Sequence, residues 1–165
     1  QSQSTEEELL YRWVFRGRRG GTHVEIGAND GRRYSNTLAL HTCHGWHGLL
    51  VEASPRSASA MFAFAKRERP GDVAMSGGVC APPQTTMRFV ESRREAYSTI
   101  GASPDFVSEA LKKKWQWRWE RDIKNVSCWP MSHYLARSRL RHVDFFSLDV
   151  EGAELEAHWP HNLRC

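Results

Sequence analysis

Short apolar runs alternate with longer mixed segments along the chain, and this pattern separates strands from helices. Apolar runs rich in β-branched residues predict strands at about 22–27, 47–52, 73–80, 87–90, 123–128 and 143–150. Capping residues followed by helical periodicity predict helices at about 5–15, 35–44, 54–69, 104–115 and 131–138. Strands that alternate with helices predict a three-layer α/β fold with a mostly parallel sheet.

Carboxylates and glycines mark the ends of three predicted strands. The first strand contains Glu25 and runs into a turn with Gly27 and Gly31, Glu52 closes the second, and Asp149 lies near the end of the last. Ligands of open α/β sheets bind beyond the carboxyl ends of the strands, so we expect these residues to line one crevice. A carboxylate that ends the second strand can accept both ribose hydroxyls of a nucleoside. The turn lacks the dinucleotide spacing G-x-G-x-x-G, and its acidic residue favours S-adenosylmethionine over NAD.

Five blocks of the sequence together resemble FkbM-type methyltransferases. They are residues 24–31, 35–37, 45–46, 48–52 and 147–154, and their order and spacing match the family over roughly 22–156. The resemblance implies a Rossmann-like class I fold that uses S-adenosylmethionine and usually methylates a substrate oxygen. Alanine stands at position 53, where family members commonly carry proline.

The resemblance also implies roles for individual residues. Glu25, Gly27 and Gly31 would form the pocket on the methionine side of the cofactor, and Glu52 would hold the ribose. The whole expected cofactor-binding set is Glu25, Gly27, Ala28, Asn29, Gly31, Ser35, Asn36, Glu52, Ser98 and Asp149. For Ser98 a plain loop is an equally good interpretation.

Candidate catalytic groups lie at the end of the last strand. The resemblance places Asp149 and Glu151 beside the transferred methyl group, where either carboxylate is a candidate base for a hydroxyl or carboxyl acceptor. His133, His142 and His158 remain alternatives, with surface or packing roles as the competing interpretation.

The chain divides into two parts at about residue 21. Residues 1–21 are expected to form an N-terminal helix and a basic loop, and 22–165 the methyltransferase-like domain. A complete class I sheet has further strands after the fourth main one, and residues 158–165 do not have a strand pattern. We therefore expect a sheet that is incomplete at the C terminus. Another protein chain, or a missing C-terminal part, would cover its edge and four tryptophans, namely Trp115, Trp117, Trp119 and Trp159.

Composition narrows the class of protein. Hydrophobic residues make up 40% of the chain, which can fill a core, and the net charge is +4. No apolar run approaches the ~20 residues that span a bilayer, so a soluble protein without a membrane span is expected. The chain begins at Gln1, which is consistent with removal of a targeting segment, for example an organellar one. The basic residues are dispersed, and they indicate a nucleic-acid partner only weakly.

Cysteine spacing and one sequon bear on metals and on the compartment. Cys43, Cys80, Cys128 and Cys165 form no C-x-x-C pair, so no metal site is predicted. Cys80 and Cys128 lie in apolar contexts, which favours buried free thiols over a disulfide. The Asn-Val-Ser triplet at 125–127 is a glycosylation sequon inside a predicted strand and indicates secretion only weakly.

Three functions are compatible with these observations. The first is methyl transfer, in which S-adenosylmethionine supplies the electrophilic methyl group and the protein positions the acceptor. The second is a degenerate, non-catalytic methyltransferase-like domain that serves as a structural subunit of a larger assembly. The third is a different nucleotide-binding enzyme.

Overall fold

The computed structural model describes residues 9–91, 101–105, 109 and 123–150. Within them, the helices are α1 (Leu38–His44), α2 (Pro55–Glu68) and α3 (Met131–Ser138), and a π-helical turn covers Leu10–Val14. The strands are β1 (Thr22–Ile26), β2 (His47–Glu52), β3 (Val73–Ser76), β4 (Gly78–Val79), β5 (Thr86–Glu91), β6 (Gly101–Ala102), β7 (Ile123–Trp129) and β8 (Phe145–Leu148). The predicted helix at 104–115 and its tryptophans lie outside the described residues.

Four strands form a parallel sheet in the order β3-β2-β1-β8. Val24 of β1 is aligned with Leu49 of β2 on one side and with Phe146 of β8 on the other. All three pairings are parallel, so the carboxyl ends of the strands lie along one edge. The predicted α/β fold with a mostly parallel sheet is confirmed.

Helices cover both faces of this sheet. Successive strand residues point to opposite faces, so Leu49 and Val51 pack with Met131 and Tyr134 of α3. Leu50 points to the other face, where it packs in a cluster with Met61 of α2. The three layers predicted from the alternation of strands and helices are therefore present.

The apolar run at 73–80 is two strands rather than one. Gly77 has φ +129°, and the chain bends there out of the parallel sheet. A Cβ at Gly77 would lie 2.6 Å from both the Trp129 ring and the Tyr134 hydroxyl. β4 therefore enters a second sheet of order β4-β7-β5-β6, in which β7 pairs antiparallel with β5.

The expected free thiols of Cys80 and Cys128 are instead joined in a disulfide. Cys80 directly follows β4, and Gly78 of β4 is paired with Cys128 of β7. This pairing brings the two Cα atoms to 5.7 Å across a sequence separation of 48 residues. The prediction of free thiols was wrong because the contact depends on the pairing of β4 with β7, and the sequence around each cysteine does not indicate that these distant strands are neighbours.

The N-terminal segment packs on the start of the parallel sheet. Phe15 contacts the rings of Trp46 and Phe145, and Arg18 forms an ion pair of 2.7 Å with Asp144. The predicted helix at 5–15 is described only from residue 9, where it contains the π-helical turn. None of the described helices has the length and apolar character needed to cross a lipid bilayer.

Candidate functional site

The loop after β1 closes tightly against two neighbouring strands. Gly27 and Ala28 donate backbone hydrogen bonds of 2.9 and 3.0 Å to the carbonyl of Val51. Gly27 has φ +85°, and a Cβ there would lie 1.9 Å from the carbonyl oxygen of Asp149. Only glycine fits at this position, so the loop backbone passes directly over the ends of β1, β2 and β8.

Glu52 ends β2 and fixes two neighbouring segments. Its carboxylate accepts hydrogen bonds of 2.7 Å from the backbone N–H of Asn29 and of Ser54. Asn29 adopts φ +51° in the first loop, and Ser54 caps α2 by accepting a bond from the backbone of Ser57. Glu52 therefore ties the first loop to the start of α2, besides any bond to a ligand.

Glu25 lies beneath the same loop and forms hydrogen bonds with its residues 35–37. Its carboxylate accepts hydrogen bonds from the hydroxyls of Ser35 and Thr37 and, at 2.5 Å, from the backbone N–H of Asn36. The residue is 1% exposed. Burial raises the pKa of Glu25, while the charge of Arg69 and these three hydrogen bonds act in the opposite direction. The contacts of Glu25 and Ser35 position the loop.

Hydrogen bonds join the loop to the last strand. The Asn36 side chain donates a bond of 3.0 Å to the Ser147 hydroxyl. Asp149 donates its backbone N–H to Ile26 at 3.0 Å, and it is exposed at the end of β8. The structure thus brings the ends of the strands that carry Glu25, Glu52 and Asp149 to one edge. Ser98 and Glu151 lie outside the described residues.

A cavity of about 440 Å³ opens beside the end of β2. It lies where the loop after β2, the first turns of α2, the Gly77 bend and β7 meet. The lining residues are Ala53, Pro55, Ala58, Ser59, Phe62, Ser76, Gly77, Asn125, Val126, Ser127 and Trp129. Its size falls within the range of small-molecule sites.

Arg69 is a central residue of this region that sequence analysis missed. The guanidinium is fully buried and donates bonds to the Ser35 hydroxyl at 3.1 Å and the Thr37 hydroxyl at 2.7 Å. It lies 3.9 Å from the Glu25 carboxylate and donates a bond of 2.7 Å to Asp72. The sequence predicts only that a helix ends at about Arg69, before Pro70 and Gly71. The local pattern does not indicate which residues the Arg69 side chain contacts.

Two histidines, His23 and His41, lie close to the Arg69–Asp72 pair. One ligand atom each of His23, His41 and Asp72 lies within 4.8 Å of the others, which is compatible with a metal site. However, the Arg69 guanidinium donates to Asp72 and lies 3.5 Å from the Nε2 atom of His23. A cation placed there would meet this positive charge at close range, so we assign the cluster a structural role.

Two of the alternative histidines have packing or ion-pair contacts. His142 lies 3.2 Å from Asp144 at the start of β8, which is the opposite edge of the sheet from the loop. The ring of His133 stacks on Trp129 at 5.1 Å between centroids. His158 lies outside the described residues.

The comparison with protein families agrees with the fold. The family described as "Methyltransferase FkbM domain" matches residues 25–157, which cover most of the chain. Together with the parallel sheet, this match defines a methyltransferase-type α/β domain. The chain belongs to the FkbM methyltransferase family. No curated protein and no solved structure matches the chain.

Proposed function

We propose that the chain binds S-adenosylmethionine at the carboxyl edge of the parallel sheet and transfers its methyl group to an oxygen of an acceptor. The observation that carries the proposal is the cavity of about 440 Å³ that begins at Ala53, the residue after Glu52, in a domain of a methyltransferase family. The proposal combines a nucleoside-sized space with a carboxylate at the end of β2.

The residues present fit such a cofactor. A carboxylate offers about four acceptor positions, so Glu52 can serve two backbone amides and ribose hydroxyls together. Phe62 and Trp129 line the cavity and would contact the purine ring, and Ser76 would offer a polar group at its edge. The loop containing Gly27, Ala28, Asn29 and Gly31 would contact the methionine part through backbone carbonyl oxygens, because its four backbone N–H groups already donate within the chain.

The acceptor would bind near the end of β8. The cofactor supplies an electrophilic methyl group when bound. Asp149 is exposed beside Gly27, and we propose that it orients the acceptor hydroxyl and takes its proton, with Glu151 as the second candidate. Glu25 acts as a positioning residue in this proposal, because its described contacts hold the 35–37 loop.

Calorimetric titration of the full chain with S-adenosylmethionine and with S-adenosylhomocysteine tests binding. Phe62 is 42% exposed, so Phe62→Ala should leave folding intact. Loss of an aromatic contact, about 0.5–1.5 kcal/mol, should weaken binding about two- to tenfold. Trp13→Ala removes an aromatic ring that is 76% exposed and does not line the cavity, and it serves as the control.

Glu52→Gln tests the ribose contact. A lost hydrogen bond to a charged group should weaken binding by about 1.5–3 kcal/mol. The variant also loses an acceptor for one backbone amide, so its thermal unfolding must be measured alongside. Glu68→Gln changes an exposed carboxylate of α2 and is the control. No binding heat and no thermal shift with folded wild-type chain would contradict the proposed function.

One observation supports the non-catalytic alternative. The carboxylates of Glu25 and Glu52 already accept hydrogen bonds from the chain itself, so the acidic strand ends are stable without a ligand. In that case the domain would serve as a structural subunit, with another chain or a C-terminal part against the outer edge of β8. Absence of cofactor binding by a cooperatively folded chain would favour this alternative.

A further inference from the structure

We propose that Asn125 is an N-glycosylation site and that the chain matures in an oxidising secretory compartment. The triplet at 125–127 is the one N-x-S/T sequon in the 165 residues. A sequon alone is weak, so the proposal depends on where the fold places it and on an independent observation about the compartment.

The fold exposes both side chains that the sequon requires. Residues of β7 alternate between the two faces of the sheet, and Val126 and Cys128 are buried on one of them. Asn125 and Ser127 lie on the opposite face, and both are exposed. Because Asn125 and Ser127 also line the cavity beside the end of β2, a sugar attached to Asn125 would extend from the wall of that cavity, and it would displace no core residue.

The disulfide supplies the second observation. Cys128 lies three residues after Asn125 in β7, is completely buried, and forms a disulfide with Cys80, which follows β4. Disulfides persist in secreted proteins and in the lumen of secretory organelles, and they are rare in the cytosol. The same compartment carries out N-glycosylation, so the two features agree.

The modification is a glycosyl transfer with a defined donor class. The Nδ2 atom of Asn125 forms a bond to the anomeric carbon of an oligosaccharide that a lipid pyrophosphate carries. The bond between that carbon and the pyrophosphate oxygen breaks, and the lipid pyrophosphate leaves with the electron pair. The amide nitrogen loses one proton in exchange.

The first experiment expresses the chain behind a cleavable secretory leader in cultured eukaryotic cells. Peptide N-glycosidase should increase the gel mobility of the wild type and convert Asn125 to Asp, which peptide mass spectrometry locates. Asn125→Gln and Ser127→Ala should each remove the whole mobility shift. Thermal unfolding of the secreted variants shows whether they are folded.

A matched control keeps the result interpretable. Gln84 is exposed in the loop before β5, and Gln84→Asn creates the sequon Asn-Thr-Thr with Thr86. Placed in the Asn125→Gln chain, it should restore one glycan. A secreted and folded wild-type chain that carries no sugar on Asn125 would overturn the proposal. This result is clearest when the Gln84→Asn control is glycosylated in the same cells.

The second experiment examines the protein from the cells that naturally produce it. Non-reducing peptide mapping should find Cys80 linked to Cys128, and the peptide that contains Asn125 should carry carbohydrate. Unmodified Asn125 together with alkylatable Cys80 and Cys128 would overturn the proposal. These readouts do not depend on methyltransferase activity or on cofactor binding.

Discussion

Arg69 shows how much one buried side chain can hold in place. Its guanidinium connects Asp72 near the start of β3 with Ser35 and Thr37 in the loop after β1. Both Arg69 and Asp72 have fully buried side chains. The position of the candidate cofactor loop therefore depends on a charge network that runs beneath it.

Replacing Arg69 should destabilise the fold strongly. Arg69→Met leaves Asp72 and Glu25 buried without their cationic partner, and breaking such a pair costs about 3–5 kcal/mol. Arg67→Met is the control, because Arg67 is 70% exposed in the last turn of α2, two residues before Arg69. Urea unfolding of both variants measures the difference. Equal free energies of unfolding would show that the network contributes nothing.

Asp72 should make stability depend on pH in the acid range. Burial alone would raise the pKa of Asp72, but the hydrogen bond from His23 and the attraction of Arg69 and His41 outweigh it, so the pKa lies below its usual value of 3.8. A lowered native pKa adds stability above the unfolded value, and this contribution is lost as pH falls through the native value. Asp72→Asn lacks it.

The free energy of unfolding of the wild type should therefore exceed that of Asp72→Asn at pH 7, and the gap should narrow below about pH 4. Denaturant unfolding over a series of pH values measures both proteins. A gap that stays constant down to pH 3 would show that the Asp72 carboxylate is not responsible.

Among the elements, Gly77 decides where the parallel sheet ends. Gly77→Ala places a Cβ against Trp129 and Tyr134, and overpacking of this kind costs about 1–3 kcal/mol. Gly20→Ala is the control, because Gly20 also has positive φ but has no atom within 4 Å of its Cβ position. Thermal unfolding should show the larger loss for Gly77→Ala. A smaller loss than for Gly20→Ala would contradict the steric argument.

Sequence pattern predicts elements well where their cause is local. β2 matches its predicted range, and α3 begins and ends at the predicted residues. The bend at Gly77 was missed, because β3 and β4 form one apolar run in the sequence, and the residues that fill the space beside Gly77, Trp129 and Tyr134, come more than fifty residues later. For the site, the acidic strand ends were predictable from their motifs. The contacts of Arg69 were not predictable, because its partners come from three segments, namely β1, the loop after β1 and Asp72.

At the scale of the whole molecule, the disulfide joins the end of β4 to β7 within the second sheet. In the chain-entropy model, closing a loop of this size stabilises the fold by about 4 kcal/mol. The double variant Cys80→Ser/Cys128→Ser should lose roughly that much, whereas Cys43→Ser should change little because Cys43 is an exposed free thiol. Chemical unfolding without reductant provides the comparison. Equal stability of the two variants would contradict the expectation.

The position of this disulfide also determines how the chain responds to a protease. Every residue from 81 to 127 lies between Cys80 and Cys128, and this stretch includes β5 and β6. A single cut anywhere in that interval therefore leaves two pieces that are still covalently joined. The nicked protein would migrate as one species on a non-reducing gel and as two after reduction. Cleavage inside the interval would thus leave the parallel sheet and the second sheet in one molecule, whereas cleavage elsewhere would release a fragment.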